Sequence, residues 1–216
     1  MIDRTETPLA ALIEVSDETL ARLHERLVAS AAARTLLDVA YRIVDSPLGP
    51  LLVAATEQGV VRLAYQREDH DAVLHTLAEQ VSPRLLRAPR QLDDAARQLD
   101  DYFAGQRREF LLPLDLRLSR GFRRQVLDHL VTIGYGHQQS YAAVASVTGH
   151  PKAVRAVGSA CATNPIPIIV PCHRVLRSDG SPGGYVGGLA AKLALLRLEA
   201  TGGSSRWVPT NADSTL

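Results

Sequence analysis

The sequence has little cysteine. Only Cys161 and Cys172 occur among its 216 residues. Two cysteines cannot build the disulfide framework of a small secreted protein, and they are too few for a four-cysteine zinc site. We therefore expect no structural metal and no bound cofactor. Each cysteine has to be interpreted from its own surroundings, because neighbouring charges and burial control the reactivity of a thiol.

Long apolar runs are also absent. No stretch approaches the roughly 20 residues that a helix needs to cross a bilayer. Residues 1–8 are acidic and polar, without the basic start and apolar middle of a signal peptide. These absences predict a cytoplasmic protein with no membrane partner.

A strong net charge is missing as well, since the formal value is +1 at pH 7. The charges are nevertheless unevenly distributed. Residues 1–117 carry 14 basic and 19 acidic residues, whereas residues 118–177 carry seven basic residues and one acidic residue, Asp128. A basic segment inside a neutral protein favours a phosphate-binding surface, although solvated arginines are the plainer alternative. The seven basic residues are Arg120, Arg123, Arg124, Lys152, Arg155, Arg174 and Arg177.

The first half of the sequence mixes short helical and β-like segments. Ser16 is a candidate N-cap for an amphipathic helix, and three apolar runs separated by turn signals predict an antiparallel meander. We predict helices over residues 16–33, 69–80 and 91–103, and strands over residues 39–44, 51–55, 59–65 and 110–116. Residues 1–36 then form an extension with one helix, and residues 37–117 form a small α+β domain without a recognisable catalytic motif.

The second half is predicted to be helical. The predicted helices cover residues 122–133, 140–147, 151–162 and 189–200. Two short helices around the break at Gly149 have the layout of a helix-turn-helix, whose second helix would carry Lys152 and Arg155. We assign residues 118–201 to a C-terminal domain and residues 202–216 to a flexible tail.

One segment of this domain points to chemistry. Its prolines, at positions 165, 167 and 171, exclude a helix and predict a rigid extended path that ends at Cys172. Basic neighbours lower the pKa of a thiol, so Cys172 is a candidate nucleophile, with an inert buried cysteine as the alternative. His173 would point away from the sulfur and act through a water molecule. Cys161, in an apolar helical context, is interpreted as structural.

The run Pro171-Cys172-His173-Arg174-Val175 resembles the active-site signature of the O6-alkylguanine-DNA alkyltransferases. Further elements follow in that family's order and spacing: Ser140-Tyr141, Arg155-Ala156-Val157-Gly158, Asn164-Pro165, Gly187-Gly188-Leu189, and residues 192–199. The resemblance implies an α+β protein, with a small ribonuclease H-like domain followed by a winged helix-turn-helix-like domain for DNA binding and catalysis. It also implies DNA repair by a methylated-DNA–protein-cysteine methyltransferase that works once.

The resemblance assigns roles to five catalytic residues. Cys172 accepts the alkyl group from O6-alkylguanine, or from O4-alkylthymine, and His173 removes the thiol proton through a water molecule. Glu199 orients His173. Asn164 braces the turns of the site, and the Tyr141 hydroxyl approaches the target base. Without the resemblance, Glu199 is interpreted as a solvated acid, Asn164 as a turn residue and Tyr141 as a core residue.

The resemblance also implies how DNA is bound. Arg155 fills the gap that a flipped nucleotide leaves, with a phosphate contact as the alternative role. The recognition helix lies in the minor groove of double-stranded DNA, where readout is poor in sequence information, and one monomer suffices. Further DNA contacts are implied for Tyr141, Lys152, Ser159, Ala162 and Thr163. The alkyl pocket would be lined by Pro167, Val175, Tyr185, Val186 and Gly187, with the Val186 amide facing O6.

Three other functions remain open from the sequence. A damage sensor would bind lesions without transferring the alkyl group, although such sensors lack the acceptor cysteine. A helix-turn-helix regulator would need sequence-specific contacts and usually a dimer. A cysteine hydrolase would bind no DNA and would turn over many times. DNA affinity and stoichiometry distinguish these functions from alkyl transfer.

Overall fold

The computed structural model describes residues 16–201. These residues divide into two compact units, with the boundary between Leu37 and Asp38. The first unit contains helix α1 (Asp17–Ala33), which begins after Ser16 as predicted, because the Ser16 side chain accepts a hydrogen bond from the Thr19 N–H. The predictions for residues 1–15 and for the flexible tail at 202–216 lie outside the described residues.

The second unit begins with a four-stranded sheet in the order β3-β2-β1-β4. The predicted meander is confirmed, since β1 (Val39–Val44), β2 (Leu51–Thr56) and β3 (Gly59–Tyr65) pair antiparallel in succession. Strand β4 (Leu85–Arg87) joins the sheet parallel to β1 and was not predicted. A three-residue strand is too short to show an alternating pattern.

Helix α2 (His70–Gln80) connects β3 to β4 and covers one face of the sheet. Its Val73 and Leu77 pack against buried residues of the sheet, namely Val39, Leu52, Ala54, Val61 and Ala64. Helix α3 (Asp93–Phe103) starts two residues later than predicted, because the chain first forms a 3-10 turn at Pro89–Leu92.

The predicted strand at residues 110–116 is wrong. Only Leu114 forms a bridge, to Val60, and the rest of the segment is irregular. Pro113 has no N–H to donate, and its carbonyl instead accepts a hydrogen bond from the Val60 N–H at 2.8 Å.

Four helices follow: α4 (Gly121–Leu130), α5 (Tyr141–Val147), α6 (Val154–Ala162) and α7 (Leu189–Ala200). Helix α5 begins after Ser140 and α7 spans 189–200, as predicted. Helix α4 ends three residues early, in a turn. Pro151 and Lys152 lie in a turn before α6, so the prediction that Lys152 lies on the recognition helix is wrong.

A short pair of parallel strands links the helices to the segment that contains Cys172. Strand β5 (Gln139–Ser140) pairs with β6 (Val175–Leu176), which places Ser140 opposite Leu176. The start of α5 is therefore held beside the residues that follow Cys172. Among residues 16–201, no helix combines the length and apolar character that crossing a bilayer requires.

Candidate active site

The proline segment forms a tight turn before Cys172. The Val170 N–H donates to the Ile166 carbonyl at 2.9 Å, and Ile168 has a φ of +73°. A β-branched residue in the left-handed region is strained, and such strain collects at functional sites. The predicted extended path is therefore wrong, because the prolines exclude helix without excluding turns. Cys172–Arg174 itself is a 3-10 turn.

The Asn164 side chain ties this turn to the sulfur of Cys172. Asn164 is 1% exposed. Its Nδ2 donates to the Val170 carbonyl at 2.8 Å and to Cys172 Sγ at 3.1 Å. Its Oδ1 accepts from the Ile166 N–H at 3.0 Å. One amide therefore fixes both ends of the turn and the position of the thiol.

Cys172 is buried and protonated at neutral pH. Burial raises the pKa of its thiol to about 11, against the hydrogen bond from Asn164 and the charge of Lys192, which lower it. The expectation that basic neighbours lower this pKa is wrong. The guanidinium of Arg174 is bound to Glu199, where it neutralises a carboxylate. A base is thus needed to form the thiolate.

His173 has the arrangement of such a base. It is fully buried, and its Nε2 lies 3.0 Å from Glu199 Oε1. An ionised carboxylate can only accept, so Nε2 carries the proton and Nδ1 has a free lone pair. Nδ1 is buried without a hydrogen-bond partner among the described residues. Burial lowers the pKa of His173 although the bond to Glu199 opposes this, so the imidazole is neutral.

Glu199 is a buried, ionised carboxylate at the end of α7. It accepts hydrogen bonds from the Tyr102 hydroxyl at 2.7 Å, from Arg174 Nη2 at 2.8 Å and from the Gly136 N–H at 3.1 Å. Burial alone would raise its pKa, but the hydrogen bonds from His173 and Arg174 lower the pKa to about 2. The alternative of a solvated surface acid is wrong for Glu199, which is 5% exposed.

Three side chains of this cluster were missed from the sequence. Tyr102 lies on α3, 97 residues before Glu199, and carries no local signal for this contact. Arg174 also donates to the Ile133 carbonyl and lies over the Tyr135 ring at 5.9 Å. Lys192 is fully buried and donates to the Val175 carbonyl at 2.6 Å. The sequence did contain a signal for Lys192, because a charged residue flanked by apolar residues in α7 is unusual.

The glycine-rich loop at residues 183–188 packs against Tyr141 and His173. A Cβ added to Gly183 would lie 2.3 Å from the Tyr141 hydroxyl, so the loop rests directly on that side chain. Burial raises the pKa of Tyr141 to about 12, which keeps its hydroxyl available as a donor. The Tyr185 ring meets the His173 ring edge-on, with centroids 6.4 Å apart.

The other predicted pocket residues surround the same turn. Val175 is buried directly after the 3-10 turn at Cys172. Pro167 is buried within the turn that precedes Cys172, where it forms an isolated β-bridge with Val170. Val186 and Gly187 are half-buried in the glycine-rich loop. Asn164, Cys172, His173 and Glu199 are therefore contiguous, with Tyr141 and Tyr185 beside them.

Helix α6 presents the predicted DNA contacts on its exposed side. Arg155, Ser159, Ala162 and Thr163 are all exposed, and their spacing places them on one face. Lys152 is exposed in the turn before the helix. The basic surface is smaller than the charge count predicted, because Arg174 is buried and Arg124 pairs with Asp128. Residues 16–201 contain no cluster of side chains suited to a metal ion.

Comparisons with known proteins identify the family. The model of the 6-O-methylguanine DNA methyltransferase ribonuclease-like domain matches residues 39–116, and the model of the DNA binding domain matches residues 121–201. The methylated-DNA–protein-cysteine methyltransferase of Mycolicibacterium paratuberculosis is 42% identical over 161 residues, covering 74% of this chain and 92% of that protein. The chain belongs to the 6-O-methylguanine DNA methyltransferase family.

Other members agree with this assignment. A crystal structure of Mycobacterium tuberculosis OGT in complex with DNA superposes with a TM-score of 0.66 at 38% identity, covering 76% of this chain and 94% of that one. The bifunctional transcriptional activator/DNA repair enzyme Ada of Escherichia coli is 41% identical over 166 residues. The chain spans about half of Ada, 46% of its length. The family and the fold expected from the signature are confirmed.

The site of this methyltransferase draws on both family domains. Tyr102 belongs to the ribonuclease-like domain and donates to Glu199 of the DNA binding domain. The Leu63 N–H of β3 donates to the Pro165 carbonyl at 2.9 Å, next to Asn164. The first domain was predicted without a recognisable catalytic motif, and it supplies groups that hold the site together.

Proposed function

We propose that this chain repairs alkylated DNA by moving an alkyl group from O6 of guanine to Sγ of Cys172. The family is one of methyltransferases that act in DNA repair on a protein cysteine, and this chain shares that activity. The observation that supports Cys172 as the acceptor is the buried trio of Cys172, His173 and Glu199. A protonated thiol stands next to a neutral imidazole with one free nitrogen, and a carboxylate holds the other nitrogen.

The proton moves first. His173 Nδ1 takes the proton of Cys172 through a water molecule, and Glu199 stabilises the imidazolium that results. The hydrogen bond from Asn164 and the charge of Lys192 stabilise the thiolate. Burial keeps the imidazole neutral before it takes the thiol proton, and Arg174 contributes by balancing the charge of Glu199.

The alkyl transfer is an in-line displacement. The thiolate attacks the alkyl carbon opposite O6, the S–C bond forms, and the C–O6 bond breaks with its electron pair passing to the guanine. The Tyr141 hydroxyl donates a hydrogen bond to guanine N3. The guanine takes up one proton as His173 gives up, through water, the proton that it received from Cys172. The product is a thioether, which the described site has no means to cleave, so each molecule acts once. O4-alkylthymine offers the same geometry and is the expected second substrate.

The partner is DNA, in keeping with the matched DNA binding domain and with the OGT–DNA complex. The reacting atom lies inside the duplex, so the nucleotide must flip out at a cost of a few kcal/mol. Arg155 would fill the gap from the exposed face of α6, with Ser159, Ala162 and Thr163 against the strand and Lys152 near a phosphate. We infer binding in the minor groove, largely independent of sequence.

The flipped base would enter beside the glycine-rich loop. Pro167, Val175, Tyr185, Val186 and Gly187 would line the alkyl pocket, with the Val186 amide directed at O6. Residues 37–117 and 118–201 would work as the two domains. One chain suffices for a single-use transfer, so we infer a monomer acting in the cytoplasm.

Peptide mass spectrometry tests the acceptor. The protein is mixed with duplex DNA containing O6-methylguanine and then digested. We expect one methyl group on the peptide with Cys172, saturating at one per protein. Cys172→Ser should take up none, whereas the matched variant Cys161→Ser should react as the unchanged protein does.

Other outcomes identify the alternatives. DNA binding without methylation of Cys172 would favour a sensor or a regulator. Release of free alkyl groups over many turnovers would favour a hydrolase. Methylation of Cys161 in the unchanged protein would show that the acceptor is assigned to the wrong cysteine.

A further inference from the structure

The glycine-rich loop rests on a tyrosine from the other domain. Tyr65 ends strand β3, and a Cβ added to Gly187 would lie 2.6 Å from its ring. A Cβ added to the next residue, Gly188, would meet the end of the Arg67 side chain. Gly187 has no room for a Cβ, and the φ of +88° favours glycine at Gly188. The backbone of the loop at Gly187 therefore lies directly on the ribonuclease-like domain.

Tyr65 also contacts the loop through its hydroxyl. The hydroxyls of Tyr65 and Tyr185 are 2.9 Å apart, and their rings meet edge-to-face with centroids separated by 5.8 Å. Tyr185 in turn meets the ring of His173. A continuous row of aromatic side chains therefore runs from β3 to the proposed base.

Tyr65 is itself firmly held. It is 2% exposed, and its N–H donates to Glu68 Oε1 at 2.8 Å. Glu68 pairs with Arg62, whose Nη1 donates to the Pro165 carbonyl at 3.0 Å. The end of β3 thus contacts both the loop and the Asn164-Pro165 turn.

We propose that Tyr65 is a positioning residue that fixes the wall of the alkyl pocket and so limits the size of the alkyl group transferred. The inference rests on the proposed function, in which the loop forms that wall. The Tyr65 ring supports the backbone at Gly187, and its hydroxyl orients Tyr185. Removing the ring opens space behind the loop, which can then recede from Cys172.

The test compares a small and a large alkyl group in the full-length chain. Single-turnover rate constants are measured on matched duplexes that contain O6-methylguanine or O6-benzylguanine. In Tyr65→Ala we expect methyl transfer to slow about tenfold, because a misplaced wall no longer orients the small group. Benzyl transfer should slow less than about threefold, since the larger group fills the space, and the benzyl-to-methyl ratio then rises by at least about threefold.

Two further variants separate the ring from the hydroxyl and protect against misfolding. Tyr65→Phe keeps the ring, so the ratio should stay at the value of the unchanged protein. Tyr65→Leu keeps apolar bulk in the core but not the ring, so its ratio should rise even if Tyr65→Ala does not fold. Tyr41→Ala removes a half-buried tyrosine from β1 of the same sheet and should leave the ratio unchanged.

The outcomes distinguish the inference from the proposed function. Equal slowing of both transfers in Tyr65→Ala and Tyr65→Leu would show that Tyr65 only stabilises the fold, and the inference would be wrong. If the benzyl-to-methyl ratio rises as much in Tyr65→Phe as in Tyr65→Ala, the role of the ring is contradicted. If the unchanged protein transfers neither group, the proposed function fails instead.

Discussion

At the scale of single residues, Arg174 helps burial to keep His173 neutral, and burial is the larger of the two causes. A buried carboxylate next to a histidine favours the imidazolium, and Arg174 opposes this by neutralising Glu199. In Arg174→Met the uncompensated carboxylate of Glu199 should raise the pKa of His173. The imidazole would then be protonated before reaction and could not take the thiol proton. We expect alkyl transfer to slow about 100-fold and the free energy of unfolding to fall by about 3–5 kcal/mol. Single-turnover kinetics and urea unfolding measure the two effects.

Two controls belong to this prediction. The double variant Arg174→Met/Glu199→Gln removes the uncompensated charge, so it should regain part of the stability but none of the rate. Arg97→Met changes an exposed arginine of α3 that pairs with Asp94, and it should change neither quantity. Normal transfer in Arg174→Met would show that His173 does not depend on this balance of charge.

Asn164 offers a second prediction at this scale. Asn164→Ala leaves the Ile166 N–H without its partner, at about 1–3 kcal/mol, whereas the Val170 carbonyl keeps the hydrogen bond from the Cys172 N–H. Asn164→Asp keeps the bond to Ile166 but places a negative charge beside the sulfur. That carboxylate would be buried and would face two acceptors, the Val170 carbonyl and the sulfur. We therefore expect the Asp variant to be the less stable of the two and the slower in alkyl transfer. Transfer by Asn164→Asp at the unchanged rate would contradict the role of Asn164 in stabilising the thiolate.

At the scale of elements, α5 connects helix capping to catalysis. Ser140 caps the helix by accepting from the Ala143 N–H at 3.0 Å, and its strand pairs beside the residues that follow Cys172. Ser140→Ala should lower the free energy of unfolding by about 1 kcal/mol. It should also slow alkyl transfer, because the first turn of α5 frays without its cap and Tyr141 lies in that turn. Ser146→Ala, at an exposed position of the same helix, is the matched control.

This prediction has a clear contrary result. If Ser140→Ala loses stability but transfers at the unchanged rate, the position of Tyr141 does not depend on the cap. If Ser146→Ala loses as much stability as Ser140→Ala, the loss reflects helix α5 in general and not its first turn.

At the scale of the whole molecule, the buried cluster predicts loss of stability in acid. The pKa of His173 lies below its ordinary 6.5, and that of Glu199 lies at about 2 instead of 4.5. In both cases the unfolded chain binds protons that the folded one does not. The stability that these two groups contribute should therefore be fully present above pH 6.5. It should decline below pH 6.5, because His173 is protonated more readily in the unfolded chain than in the folded one. It should decline further from pH 4.5 towards 2, for the same reason at Glu199.

Urea unfolding across this pH range measures the effect. Glu199→Gln should show a shallower decline below pH 4.5, whatever its stability at neutral pH. Glu79→Gln, which alters an exposed carboxylate of α2, should keep the slope of the unchanged protein. A decline that is equally steep in Glu199→Gln would mean that other carboxylates dominate the acid unfolding.

The sequence by itself determined the features that depend on neighbouring residues. Ser16 and Ser140 cap the helices that were predicted after them. The strands of the meander coincide with the apolar runs that turn signals separate. The signature around Cys172 indicated the family correctly. Caps, turns and short motifs are local, since a few adjacent residues satisfy their hydrogen bonds.

The tertiary structure decided what depends on burial and on distant partners. The pKa of Cys172 is high because the fold removes it from water, which its basic neighbours in the sequence could not show. Tyr102 and Tyr65 reach the site from the first domain without any local signal. Strand β4 and the irregular segment around Pro113 are likewise set by pairing with residues far away in the chain. Desolvation and long-range contacts are properties of the folded chain, so no window of sequence contains them.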